Sequence, residues 1–404
     1  MNSKLSISSV MKYVVMLYAF IVTFSFSTGT IGVKIVRVLV VGMFFLYFIT
    51  RTRKKGMNYL FIIWTGVFTL YNLFRCQFAL DVDNALEFTM SLIYVTVVQI
   101  IVSFYLQDRD ITQDIMKMLI IAGIFQALYL FCTEGFLVYL NSRSAGDKEI
   151  NANSIGFNCA LSCLFSLFFY KEKRGIKGRG KYLMFASLAF ILMILTGSRK
   201  PVIILGIPLI ISYLFCTKDA ATMIGKIFLV AIGLMIAWEI LMKVDFFYSL
   251  VGNRIESMIV GFSGGKTDAS TATRMDLTEY GIGWWKDNPI WGYGMNNFTT
   301  LMKRDHPWQI AYYAHNNYIE LLVDSGIVGT VLYYSMYVIL LIRGFLLRGL
   351  KNLQTMMLWG VVIAYAINDY GMVSYSFATY QLLLLLCFND FFVKNAHSEA
   401  VSYA

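Results

Sequence analysis

The chain is predicted to be an all-α polytopic membrane protein with about 12 transmembrane helices, both termini cytoplasmic and one large extracytoplasmic loop. Three observations predict this. Hydrophobic residues make up 58% of the 404 and charged residues only 14%, with a mean hydropathy of +0.63, far from the soluble range. Apolar runs of roughly 17–25 residues, long enough to cross a hydrocarbon core, recur from end to end. One long polar stretch, residues 243–314, interrupts them.

The first run, near 11–28, lacks a small-residue cleavage site and ends in Thr23, Ser25, Ser27 and Thr28, so we read it as a retained helix. The second, 31–50, carries Lys34 and Arg37 one turn apart near its outer end. Pairing or snorkelling explains them better than catalysis, although they are within reach of a phosphate. Runs at 57–74 and 86–106 flank Asp81 and Asp83, whose Asp-x-Asp spacing is common by chance. Runs at 115–133 and 153–170 enclose Arg143 and Lys148, those at 182–197 and 200–216 form a hairpin, and 227–242 leads into the polar stretch. Three more, at 319–342, 355–373 and 376–393, complete the chain. No gap leaves room for a soluble domain, so residues 1–404 read as a single integral membrane domain with 243–314 inserted between spans 9 and 10. The six cysteines fall in or beside spans without zinc-type spacing.

The net charge of +10 is distributed as a topology signal and not as a nucleic-acid surface. Basic clusters at Arg51, Arg53, Lys54 and Lys55, at Lys171 to Lys181, and at Arg343, Arg348 and Lys351 all fall on one side when twelve spans are threaded from an inside N-terminus. Arg199, Lys200, Arg143, Lys148 and the whole of 243–314 then lie on the other side, where the positive-inside rule does not account for cations.

Three polar motifs carry candidate chemistry. Thr196-Gly197-Ser198-Arg199-Lys200-Pro201 is a tight turn that sets Arg199 at a helix N-terminus, a position that favours anions, or merely caps a hairpin. The long stretch holds Arg254, Arg274 and His306, and the run Trp284-Trp285 to Gly292-Tyr293-Gly294. Its aromatic rings either anchor at the interface or stack on sugars, and Arg274 offers a planar donor fork for phosphate oxygens. His315-Asn316 opens span 10, with Glu320 and Asp324 one turn apart behind it. Asn316 suits an N-cap, Asp324 is deep enough to need a partner or a wet cavity, and His315 has the ordinary pKa of a general base or is a hydrogen-bonded helix start.

In this order, Thr-Gly-Ser-Arg at 196–199, the run from Arg274 through Asn288-Pro289 to Gly294, and His315-Asn316 followed nine residues later by Gly326-x-x-Gly329 resemble the O-antigen polymerase and O-antigen ligase superfamily of bacterial envelope enzymes. The segment Arg143 to Gly156 looks similar to the family's approach to its sixth span, and the resemblance covers roughly 140–330. It implies a GT-C-like architecture and glycosyl transfer from undecaprenyl-diphosphate-linked glycans at the outer face of the bacterial cytoplasmic membrane, with no cofactor and no metal. It assigns diphosphate contact to Arg199 and Arg274 and acceptor activation to His315. Lys200, Arg254, Asn316, Trp285 and Arg143 are expected to contact substrate, and Glu320, Asp324 or Asp369 to assist or replace His315.

Within that resemblance the first expectation is a polymerase making capsule, exopolysaccharide or O-antigen. The second is a ligase that moves the finished polymer to lipid A core. Abundant Lys, Asn, Tyr and Phe, typical of low-GC bacteria, tilt the reading to polymerase. A flippase or other secondary transporter is the reading from another class; the halves show no repeat, and the polar residues gather on one side. Expected partners are the lipid-linked donor and acceptor, membrane lipids, a chain-length regulator and a flippase, and no nucleic acid.

Overall fold

The computed structural model describes residues 6–25, 31–50, 57–134, 152–217, 219–253, 255–256, 260 and 269–395. Among them the chain is helical and contains no strand. The helices used below are α1 (Ile7–Phe24), α2 (Ile31–Thr50), α3 (Leu60–Arg75), α4 (Val82–Asp108), α5 (Thr112–Glu134), α6 (Ala152–Glu172), α7 (Ile176–Leu195), α8 (Lys200–Phe215), α9 (Ala220–Lys243), α10 (Ala269–Asp287), α11 (Asn297–Asp305), α12 (Asn317–Leu346), α13 (Leu353–Asn368) and α14 (Ala378–Phe388).

A helix coincides with each apolar run of the sequence. Eight of them, α1, α2, α4, α5, α6, α7, α9 and α12, are long and apolar enough to cross a membrane. The other four are shorter: α3, α8 and α13 have 16 residues each and α14 has 11. Their lengths have local causes. Proline stands both in the first turn and in the interior of α8. Asn352 caps α13, its side chain accepting from Thr355 N, and Asp369 ends it. The same polar grammar starts longer helices: Ser6 accepts from Ser9 N, Asp81 from Asn84 N and Asp219 from Thr222 N.

The bundle is held by an apolar core that runs from Met11 of α1 to Phe391 beyond α14. α6 packs on α5, α7 and α8; α8 packs on α13, α1 on α2 and α5, and α12 on α3 and α13. The α8–α13 crossing needs Gly360, because a Cβ there would stand 2.4 Å from Pro208 Cα. Buried polar groups pair across helices: Asn158 Nδ2 donates to Gln126 Oε1 and Thr23 O, Tyr47 Oη to Asp108, and Gln354 and Thr355 to Asp390. Among the described residues, no residue of α9's apolar stretch is buried.

Hydrogen bonds join the connections at one end of the bundle: 76–81 to 292–297, Lys200 to Gly371, and Asn317 to Asp369. The α12–α13 and α4–α5 connections meet at the other end, near Gln113, Gln354 and Lys394. The polar stretch therefore shares an end with the Arg199–Lys200 turn.

Candidate active site

The polar stretch folds. α10 and α11 pack through Leu277, Trp284, Phe298, Leu301 and Met302 onto Ala314 and Val323, so the start of α12 forms one wall of their small core. Between the two helices, residues 289–294 run alongside a break in α12: Tyr293 N donates to Val323 O, Gly294 N to Asp324 O and Ile327 N to Pro289 O. The break is at Gly326, with φ 62° and ψ −171°. The α3–α4 connection grips the same strip. Leu80 N donates to Tyr293 O, and Arg75 Nη2 donates to Gly292 O while its guanidinium lies 5.2 Å from the Phe78 ring centre and 5.8 Å from that of Trp291.

This scaffold delivers His315 to the point where the stretch re-enters the bundle. His315 has φ 53°, a left-handed conformation that a non-glycine residue adopts only when its surroundings impose it. The surroundings are specific. Before it, Ala314 N donates to Glu320 Oε2 at 2.6 Å. After it, Asn316 caps α12 by accepting from Tyr318 N and Ile319 N. Then Asn317 N donates to Asp369 O, and the Asn317 side-chain oxygen accepts from Ser374 N and Tyr375 N. The His315 ring lies 4.0 Å from that of Tyr313 and 5.9 Å from that of Tyr312.

Burial, and then the positive charges of Arg274 and Lys200, push His315 from its ordinary value down to about 3. The imidazole is therefore neutral at physiological pH and keeps a free lone pair. The same shift shows that a cation from α10 and one from the α7–α8 turn both act on the ring. Arg274 also acts on the Tyr313 phenol, which burial and Glu320 push up.

Lys200 is positioned by the hairpin. Gly197 turns with φ 57°, Ser198 N donates to Thr196 Oγ1, and Ser198 Oγ donates to Asn153 Oδ1 at the start of α6. The Lys200 ammonium donates to Gly371 O, in the connection that also receives Asn317. Arg199 is half-buried at the N-cap of α8, immediately before Lys200.

The structure thus brings Lys200, Arg274 and His315 together, with Arg199 adjacent in the chain. Trp285 lies eleven residues along α10 from Arg274, about 16 Å away at helical rise, with its indole NH donating to Pro289 O. Asn316 is spent on the cap. Arg143 and Arg254 lie outside the described residues. The three carboxylates proposed as helpers of His315 have structural partners. Glu320 holds Ala314 N. Asp324 receives Asn296 N and Phe298 N at the N-terminus of α11, and Asp369 receives Ser374 Oγ and Tyr334 Oη. The pairing of Tyr313 with His315 and the Asn317 hub were missed from the sequence; Tyr312-Tyr313, separated from His315 by Ala314, was the signal for the first. The hub gives a test: Asn317→Leu strands the Ser374 and Tyr375 amides and should lower stability by on the order of 3 kcal/mol. Thermal unfolding in detergent measures this, and an unchanged midpoint would contradict the hub.

No curated protein matches the chain. Residues 183–334 match the family model for O-antigen ligase. This segment contains the Arg199–Lys200 turn, the folded stretch with Arg274, and His315 with the first half of α12, and the match is consistent with the O-antigen polymerase and ligase superfamily.

Proposed function

We propose that the protein is a polysaccharide polymerase that moves a growing glycan from its polyprenyl diphosphate onto an incoming lipid-linked repeat unit at the outer face of the cytoplasmic membrane. The observation that carries the reading is the neutral His315 held between Tyr313 and the charges of Lys200 and Arg274. In the transfer, an acceptor hydroxyl attacks the anomeric carbon from the face opposite the diphosphate. The new C–O bond forms as the bond from carbon to phosphate oxygen breaks, and the anomeric centre inverts. His315 takes the hydroxyl proton, and Arg274, Lys200 and Arg199 neutralise the negative charge that grows on the departing lipid diphosphate. No metal is needed for either role.

In this reading the four shorter helices cross the membrane with the eight long ones, both termini are cytoplasmic, and the end bearing His315 faces outward. The basic residues at 171–181 and 343–351 support that orientation. A second reading, ligation of finished polymer to lipid A core, is favoured by the description of the matching family.

Purified protein supplied with lipid-linked repeat units alone should give a ladder of longer glycans, and EDTA should leave the ladder unchanged. Product only when lipid A core is added would replace polymerase with ligase, and no product with either acceptor would remove both.

A further inference from the structure

Arg37 is a cation inside the membrane-spanning α2, and it is not satisfied there. The residue is only 9% exposed, and its Nε and Nη2 are buried without a hydrogen-bond partner. Among the described residues no carboxylate pairs with it, and the ionisable groups close enough to act on it are the phenols of Tyr18 and Tyr94. Among the described residues, pairing with a carboxylate, one of the explanations offered by the sequence, therefore fails at this residue. A buried cation without a counter-charge costs several kcal/mol, and ionisable groups at membrane depth mark ligand paths unless paired.

The position selects the ligand. Arg37 lies six residues into α2, about 9 Å below the start of the helix, within an arginine's reach of the phosphate layer. Lys34, one turn nearer the helix start, is exposed. The outer end of α1 beside it is tied to the catalytic end of the bundle: Thr379 Oγ1, at the start of α14, donates to Val22 O. Gln99 Nε2 donates to both Tyr18 Oη and Ala378 O. Ala378 follows directly on the connection that holds Lys200 and Asn317.

We propose that Arg37, with Lys34 at its entrance and Tyr18 and Tyr94 beside it, forms a second anion site that binds the phosphate head of a membrane lipid, separate from the centre built by Lys200, Arg274 and His315. If the proposed function holds, on which this part rests, the occupant is the acceptor's polyprenyl diphosphate. Polymerisation brings two lipid-linked diphosphates to one chain, and the cations around His315 account for the donor's alone.

The test is the number of lipids bound to the purified full-length protein, counted by native mass spectrometry with polyprenyl diphosphate and, separately, with phosphatidylglycerol. Wild type should bind two polyprenyl diphosphates, Arg37→Met one and Arg274→Ala one, while Arg37→Lys should retain the second with about tenfold weaker affinity. Equal stoichiometry and affinity for both lipids in wild type and Arg37→Met would overturn the site. If Arg37→Met instead loses only phosphatidylglycerol, the anion site stands and the acceptor assignment falls. If Arg37→Met loses one polyprenyl diphosphate but wild type elongates nothing, the site stands and the polymerase reading falls. Unfolding without added lipid separates ligand binding from a structural role. Arg37→Met should melt no lower than wild type and should gain less from added lipid. A lower melting point without lipid would mean that Arg37 is paired in the fold, which overturns the proposal.

Discussion

His315→Ala is expected to slow glycan elongation by roughly 10²–10⁴-fold, the usual worth of a positioned general base, without unfolding α10, α11 or the start of α12. Among the described residues the ring makes no hydrogen bond on which α12 depends; Glu320, Asn316 and Asn317 lock that helix start independently. The pH profile is the sharper measurement. With His315 held near 3, the base is already deprotonated at pH 5, so the elongation rate should show no inflection near 6.5. Arg274→Ala removes one of the charges holding the ring down. It should lower the rate and also move the acidic limb toward neutrality. An inflection at 6.5 in wild type, or a limb unmoved in Arg274→Ala, would contradict the geometry. The same shift has a stability consequence. Between about 3 and 6.5 the unfolded chain binds a proton at this site that the folded chain does not. The penalty is absent above 6.5 and grows as pH falls toward 3, so acid should destabilise wild type more than His315→Gln.

Gly326→Ala is expected to be the most damaging single methyl in the protein. Its φ of 62° with ψ of −171° lies in a region that essentially only glycine occupies. A Cβ there would stand 2.2 Å from Ile290 O and 2.4 Å from Ile290 C, both backbone atoms that cannot rotate away. Relief requires residues 289–294 to leave the α12 break, which costs the bonds from Tyr293, Gly294 and Ile327. We expect a loss of about 3 kcal/mol or more, with protease cutting between α10 and α12 that wild type resists. A variant with wild-type proteolysis and melting would show that the strip is not clamped there.

The helices were legible because lipid demands long apolar runs with every backbone group bonded internally, and composition alone reports that. The Arg199 motif stood out for a different reason: it pairs a turn signal with a charge at a helix start. The inside of the polar stretch was not legible. Asp324, read as a possible catalytic helper, caps α11 from another helix, and no spacing rule reveals an acceptor 28 residues from its donor. Asp369 was likewise read as a helper or substitute for His315, although Ser374 and Tyr334 occupy it; Tyr334 lies 35 residues away in the chain. Arg37 was legible only as a cation near a helix end, because sequence cannot show whether its nitrogens find partners.

The cap that Asp324 supplies to α11 also dictates an order of events during synthesis. Asn296 emerges from the ribosome 28 residues before the carboxylate that receives its amide. At cellular translation rates that is roughly one to six seconds. Through that interval α10 and α11 lack both their helix cap and the Val323 wall of their core. The stretch must therefore wait for α12 to arrive before it can close.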